Sequence, residues 1–132
     1  MGGMFGESKF DVLKKVPKKY TPKTILISRP ASRETVIKML ELHGFQLPVI
    51  FKPDLGERGF MVTRIETEND INSYLSRMNF DFLIQELITL PLEYGVFYTR
   101  FPNEENGKVT SIVVKEMLTV TGDGTSTLER LI

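Results

Sequence analysis

The chain has 132 residues and a formal net charge of zero, from 17 basic and 17 acidic side chains. Hydrophobic residues make up 41% and charged residues 26%, which is the composition of an ordinary globular domain. The lack of cysteine and the single histidine, His43, exclude disulfide frameworks, cysteine nucleophiles, thiolate metal sites and multi-histidine metal sites. No apolar run approaches the ~18 residues of a membrane span, and the N-terminus lacks the features of a signal peptide. We therefore expect a cytoplasmic protein that does not contact membranes.

The net charge of zero conceals a division along the chain. Residues 1–52 carry 10 basic and 4 acidic side chains, whereas residues 53–132 carry 7 and 13. Such a basic half is compatible with a nucleic-acid-binding arm. A solvated helix end and connector is favoured instead, because only Tyr20 lies inside the basic cluster and could stack on bases. The lysines of this cluster are Lys14, Lys15, Lys18, Lys19 and Lys23.

The first third of the chain predicts a helix, a strand and a second helix. Ser8 can cap a short helix over residues 8–16, which is followed by a basic connector bracketed by prolines. The branched apolar segment 24–28 predicts a strand. Ser32 can cap the second helix, and Gly44 is a natural end for it because glycine commonly terminates helices.

The middle of the chain predicts a hairpin, a helix and a further strand. Residues 47–52 and 60–65 are rich in branched and aromatic side chains and are joined by a glycine-containing loop, which is typical of a hairpin. Thr67 can cap a helix over residues 68–78. The apolar segment 82–87 predicts the next strand.

Two long strands and a short helix are predicted for the last third. Residues 94–101 and 109–118 form the strands, and the Asn106-Gly107 dipeptide between them is a strong turn signal. An apolar half-helix over residues 128–132 is an unusual end for a domain. We therefore expect the chain to be a fragment of a longer protein.

Lys52 and the loop that follows it are the first candidate binding site. Lys52 ends a predicted strand four residues before Gly56, and a glycine loop can bring backbone N–H groups close to phosphate oxygens. The pattern alone is also typical of a plain hairpin with a terminal lysine, and it lacks the spacing of a P-loop. Two acids farther on, Glu86 and Glu93, could serve the adenine and ribose ends of a nucleotide, since carboxylates accept hydrogen bonds from hydroxyl groups. Glu86 by itself is more often a strand-end charge that faces water.

Three segments in this order resemble the ATP-grasp superfamily. They are LPVIFKPDLGERGF, FLIQELITLPLEYG and VTGDGTSTLERLI. They are most similar to the carboxylate–amine ligases around D-alanine–D-alanine ligase, the ribosomal protein glutamate ligases and cyanophycin synthetase. The resemblance covers about residues 47–132, and it extends further back if Ser8-Lys9-Phe10 is the first-lysine segment of the family.

The resemblance implies roles at the phosphate end of a bound nucleotide. Lys52 would contact the α- and β-phosphates, and Lys9 would be a second cationic partner. The loop that joins the two predicted strands of the hairpin would fold over the phosphates, with Arg58 as a possible helper. The loop residues concerned are Gly56, Glu57, Arg58 and Gly59.

The resemblance also implies roles at the nucleoside end. Gln85 and Glu86 would lie where the hinge of the family meets adenine. Leu87 and Ile88 would add backbone contacts, and Glu93 would bind the ribose.

Members of this family use ATP and magnesium to activate a carboxylate as an acyl phosphate, which an amine then attacks as ADP leaves. Their magnesium ligands are an Asp or Glu followed by a Glu-x-Asn pair. After Asp123 this chain has a single acid, Glu129, and no such pair. We therefore expect ATP as the ligand of this chain, magnesium and the small carboxylate and amine substrates only in the complete protein, and no catalytic or metal-binding residue here.

The expected architecture is α+β: a small ATP-grasp subdomain, an antiparallel sheet with two helices on one face, and the beginning of a second subdomain. An N-terminal helix and basic connector would occupy residues 1–23, the small subdomain 24–91, and the first strands of the truncated C-terminal subdomain 92–132. The expected function is the ATP-binding part of an ADP-forming ligase, itself inactive and prone to self-association through exposed apolar surface. The alternatives are a non-catalytic nucleotide-binding or regulatory module and, less favoured, a basic nucleic-acid-binding domain.

Overall fold

The computed structural model describes residues 6–56, 59–116 and 119–132. They divide into two compact units, a first unit over Met1–Ile88 and a second unit over Thr89–Ile132. None of the helices in the described ranges has the length and apolar character that crossing a membrane requires.

Side-chain caps determine where the helices of the first unit begin, as the sequence predicts. Ser8 Oγ accepts the Asp11 N–H at 3.1 Å, and Ser32 Oγ accepts the Thr35 N–H at 3.2 Å. A reciprocal capping box between Thr67 and Asp70 starts the third helix. The helices are α1 (Lys9–Lys14), α2 (Arg33–Leu42) and α3 (Glu68–Leu75), with a single 3₁₀ turn at Lys18–Tyr20.

Four antiparallel strands form the sheet of the first unit. They are β1 (Thr24–Ile27), β2 (Val49–Pro53), β3 (Thr63–Ile65) and β4 (Phe82–Glu86), in the spatial order β1-β4-β2-β3. β3 is shorter than predicted, because Phe60 and Met61 lie in a turn that the Val62 N–H closes on the Gly59 carbonyl oxygen at 3.1 Å. In this spatial order β4, the last of the four strands in sequence, lies in the interior of the sheet.

One face of this sheet packs against α2 and α3. Ile25, Ile84 and Phe51 form one cross-strand row on that face and are buried with residues of both helices. The rings of Phe51, Tyr74 and Phe82 pack with centroids 5.2 Å apart in each pair. This arrangement confirms the predicted antiparallel sheet with two helices on one face.

The opposite face of the sheet carries polar residues as well as apolar ones. Thr24, Gln85 and Ile50 are paired in register across β1, β4 and β2, so their side chains point to the same side. Lys52 is two residues beyond Ile50 and shares that side. The face without α2 and α3 therefore presents a lysine and an amide next to each other.

The second unit contains a two-stranded antiparallel hairpin and one helical turn. The strands are β5 (Glu93–Thr99) and β6 (Lys108–Lys115), with a bulge between Phe97 and Tyr98, and the short helix is α4 (Leu128–Leu131). Every residue of both strands is exposed. The predicted strand over 109–118 extends into Met117 and Leu118, which lie outside the described residues.

Only glycine fits at the turn of this hairpin. A Cβ atom at Gly107 would lie 2.5 Å from the Thr99 carbonyl oxygen and 2.5 Å from the Tyr98 ring. The Gly107 N–H donates instead to Tyr98 Oη at 2.8 Å. The turn can therefore approach β5 this closely only because Gly107 has no side chain.

Candidate functional site

Lys52 stands at one end of a row of hydrogen bonds that crosses β2, β4 and β1. Its Nζ donates to Gln85 Oε1 at 2.9 Å, and Gln85 Nε2 donates to Thr24 Oγ1 at 2.8 Å. Thr24 Oγ1 in turn donates to the Pro22 carbonyl oxygen at 2.9 Å. The row fixes the orientation of the Gln85 amide and holds the ammonium group on the face without α2 and α3.

Lys52 occupies an environment that favours an anionic ligand. Partial burial lowers the pKa of Lys52 below its ordinary value, and the positive charge of Lys9 lowers this pKa further. Within the described ranges, neither Lys52 nor Lys9 forms an ion pair with a carboxylate. An anion that reached this position would neutralise two ammonium groups that lack a counter-charge there.

The lowered pKa predicts when Lys52 becomes chemically reactive. Its neutral amine forms at lower pH than in an ordinary lysine, so acylation of Lys52 should reach half of its maximal rate below pH 10.5. Short pulses of an acylating reagent at a series of pH values, followed by mass spectrometry, measure this midpoint. In Lys9→Met the midpoint should rise but stay below 10.5, because burial is the larger cause. A midpoint at or above pH 10.5 in the unmodified chain would contradict the lowered pKa of Lys52.

Lys9 lies at the end of β2, next to the loop that follows Lys52. Its Nζ donates to the carbonyl oxygens of Pro53 at 3.1 Å, Asp54 at 3.0 Å and Gly56 at 2.7 Å. The fold thus brings together Lys9, Lys52 and Gly56, which sequence analysis places in one phosphate site.

Asp54 is a residue of this site that sequence analysis missed. It is only 8% exposed, and its Oδ1 accepts the Ser8 hydroxyl at 3.1 Å and the Phe10 N–H at 2.9 Å. The available signal was an acid directly after a buried strand, a position at which a carboxylate needs donors to offset its burial. Those donors come from a segment more than forty residues earlier in the chain.

Gln85 and Glu86, the candidate adenine residues of β4, lie on opposite faces of the sheet. Gln85 lies on the Lys52 face, whereas Glu86 pairs with Val49 on the other side of the sheet. Glu86 Oε1 accepts the Lys23 N–H at 2.8 Å, and the Glu86 N–H donates to the Lys23 carbonyl oxygen at 3.0 Å. Leu87 and Ile88 follow the strand, and Ile88 is exposed. The Glu86 carboxylate thus stabilises the pairing of β1 with β4.

The remaining site predictions fall in the loop and in the second unit. Gly59 lies in the turn before β3 with a positive φ of 75°, whereas Glu57 and Arg58 lie outside the described residues. Glu93 begins β5, where its Oε1 accepts a hydrogen bond from Lys115 Nζ at 2.9 Å. Both of these side chains are largely exposed. The carboxylate of Glu93 is therefore accessible at the end of the hairpin.

A groove of about 750 Å³, which Lys52 does not line, lies between α1, the basic connector and the start of β1. Two lysines on its rim make contacts within the chain. Lys14 Nζ lies 4.4 Å from the centroid of the Phe10 ring, and Lys23 Nζ donates to the Gly44 carbonyl oxygen at 3.0 Å. Both ammonium groups thus have partners within the chain.

The described ranges contain no group of three or more His, Cys, Asp or Glu side chains that could hold a metal ion. The same ranges place Lys9, Lys52 and the backbone of Gly56 at one end of β2. The site as it stands is suited to bind an anion through cationic groups.

Comparison with known proteins agrees with this architecture. D-Alanine–D-alanine ligase from Helicobacter pylori superposes with a TM-score of 0.52 at 15% sequence identity, over 81% of this chain and 33% of the ligase. The chain therefore spans about a third of the length of that ligase, and at this identity the likeness shows the fold alone. A search of curated proteins gives no match.

A family model identifies the chain more specifically. The model of the RimK-like ATP-grasp domain matches residues 8–93, which is more than half of the chain. This range contains α1, the whole four-stranded sheet and the start of β5. Both lysines of the candidate site lie within it. The resemblance seen in the sequence is thereby confirmed, and the chain belongs to the RimK-like ATP-grasp domain family.

Proposed function

We propose that this chain is the ATP-binding part of an ATP-dependent, ADP-forming carboxylate–amine ligase. The observation that carries the proposal is the convergence of Lys9, Lys52 and the glycine loop at one end of β2. A triphosphate carries several negative charges, and fixed ammonium groups in a partly dry site stabilise it far better than water-exposed ones.

In this proposal Lys52 is the main phosphate ligand. Gln85 holds its ammonium group in place from the neighbouring strand, which reduces the freedom that the side chain loses when ATP binds. Gly56 and Gly59 have positive φ angles of 124° and 75°, a backbone conformation that other residues rarely adopt at these two positions. Such a loop can turn its N–H groups towards phosphate oxygens. Glu57 and Arg58 complete the loop.

The nucleoside end of ATP is assigned to the end of β4 and the start of β5. Backbone groups of Glu86, Leu87 and Ile88 would contact adenine, with Gln85 at its edge. Glu93 would accept hydrogen bonds from the ribose hydroxyls, because a carboxylate has two acceptor oxygens at suitable spacing.

The proposed reaction begins when a carboxylate oxygen of the substrate attacks the γ-phosphorus of ATP. The bond to the leaving ADP breaks, and an acyl phosphate forms. An amine then attacks the acyl carbon, and inorganic phosphate leaves with the electron pair of the broken C–O bond. Among the described residues, no group of acidic side chains fits magnesium. The carboxylate and amine sites, like the metal ligands, belong in this proposal to the complete protein.

A calorimetric titration with ATP tests the proposal. Lys52→Ala should weaken ATP affinity by roughly 10- to 100-fold, because a charge-assisted hydrogen bond in a half-buried site is lost. Lys15→Ala is the matched control, since it removes the same charge from the exposed residue that caps the end of α1. Circular dichroism of both variants verifies that they are folded. Equal losses in the two variants, or no ATP binding by the folded unmodified chain, would contradict the assignment of the site to this chain.

A further inference from the structure

We propose that Thr24 is a positioning residue for Lys52, on which it acts through the Gln85 amide and without contacting the ligand. The inference rests on the proposed function only in that Lys52 is taken to bind the phosphates of ATP. The contacts that carry it run from the Lys52 ammonium group through the side chains of Gln85 and Thr24 to the Pro22 carbonyl oxygen. We call them the Lys52–Pro22 row.

The two ends of the Lys52–Pro22 row determine its direction. A lysine ammonium group can only donate hydrogen bonds, and a backbone carbonyl oxygen can only accept them. The Pro22 carbonyl oxygen takes the one hydroxyl hydrogen of Thr24 at 2.9 Å, so Thr24 Oγ1 can only accept from Gln85. The Gln85 amide therefore turns its NH2 group to Thr24 and its oxygen to Lys52.

Thr24 holds the amide in this orientation also when Lys52 turns towards a ligand. The hydrogen bonds that Thr24 makes with Pro22 and Gln85 do not involve the ammonium group, so its movement does not break them. A reversed amide would place an NH2 group against the ammonium group, which leaves two donors without an acceptor between them. The Gln85 oxygen thus stays available to guide Lys52 to the phosphates.

The sheet gives Thr24 the position that this role requires. Thr24 is the first residue of β1 and pairs in register with Gln85 of β4, which pairs with Ile50 of β2. Threonine is branched at Cβ, so its hydroxyl group has few orientations to lose. The three side chains of the row are partly buried, where an amide or hydroxyl group without a partner is costly. Reorientation of the amide is therefore unfavourable.

Hydrogen exchange of the Gln85 side-chain amide, followed by NMR in the nucleotide-free chain, tests the row without ATP. Thr24→Val replaces the hydroxyl by a methyl group of similar size, so the Gln85 NH2 group should exchange about threefold to tenfold faster. Thr24→Ser keeps the hydroxyl and should restore the original rate. An unchanged rate in Thr24→Val would overturn the proposal, whatever the ATP affinity of that variant.

Calorimetric titration with ATP measures the effect on binding. Thr24→Val should weaken ATP affinity about threefold to tenfold, whereas Thr24→Ser should stay within about twofold of the unmodified chain. Thr63→Val is the matched control, because it makes the same change on β3 at a residue that pairs with Phe51, on the face packed against α2 and α3. This control should leave ATP affinity unchanged, and an equal loss in Thr24→Val and Thr63→Val would contradict the proposal.

A double-mutant cycle separates positioning from direct contact. In Gln85→Leu the amide is absent, so the addition of Thr24→Val should not weaken ATP binding further. If Thr24 contacts the ligand or only supports the fold, the double variant should lose a further threefold to tenfold, roughly the loss caused by Thr24→Val alone. That result would overturn the proposal and leave the proposed function intact.

Failure of the proposed function has a different signature. A folded unmodified chain that does not bind ATP would count against the assignment of the nucleotide site to this chain. The exchange rates of the Gln85 amide in Thr24→Val and Thr24→Ser would then still decide whether Thr24 orients that amide.

Discussion

Replacing Phe51 by alanine is expected to unfold the first unit or bring it close to unfolding. Phe51 is completely buried, and its ring packs at 5.2 Å between centroids against both Tyr74 and Phe82. Removing a buried phenylalanine ring costs about 3–5 kcal/mol, which is a large part of the ~5–15 kcal/mol that stabilises a small domain. The loss is severe because α3 and two strands meet on this one ring.

Urea unfolding followed by circular dichroism measures the effect. Phe80→Ala removes the same atoms from a side chain that is 71% exposed, so it should change the free energy of unfolding by less than about 0.5 kcal/mol. Similar unfolding midpoints for Phe51→Ala and Phe80→Ala would show that the core is not organised around Phe51.

Gly107→Ala is expected to disrupt the hairpin of the second unit. The new methyl carbon would lie 2.5 Å from both the Thr99 carbonyl oxygen and the Tyr98 ring, so the turn or β5 has to move. Forced overpacking costs about 1–3 kcal/mol, and a two-stranded sheet is only marginally stable. The cross-strand hydrogen bonds of β5 and β6 should therefore be lost together.

Gly95→Ala provides the control within the same hairpin. A Cβ atom at Gly95 would meet the Val113 Cβ at 3.8 Å and the Val113 carbonyl oxygen at 4.0 Å, which are ordinary contacts. NMR-detected protection of the amides of β5 and β6 should fall sharply in Gly107→Ala and stay close to the original value in Gly95→Ala. Equal protection in the two variants would contradict the close approach at the turn.

Sequence alone predicted the local features of the fold well. The caps at Ser8, Ser32 and Thr67 were found because each depends on residues within one helical turn. The start of β3 was placed too early, because alternation of side chains does not show that a turn closes at Val62. The strand order could not be predicted, since the insertion of β4 between β1 and β2 depends on contacts between distant segments.

The candidate site shows the same limit. Lys52 and Gly56 were identified together because they are close in sequence, and Lys9 was added only through the resemblance to a family. The partners of the Lys9 ammonium group could not be predicted, because they are backbone carbonyl groups 44 to 47 residues away. Asp54 was missed for the same reason. The nucleotide roles of Glu86 and Glu93 stay predictions.

The position of β4 also has a consequence for how the chain folds as it is synthesised. β2 and β3 are neighbours in sequence and in the sheet, so they can pair as soon as both have left the ribosome. Among the described residues, β1 pairs only with β4, which is synthesised last of the four strands. The apolar β1 segment therefore lacks its native partner strand until β4 has been synthesised, and unpaired strands of this kind promote aggregation.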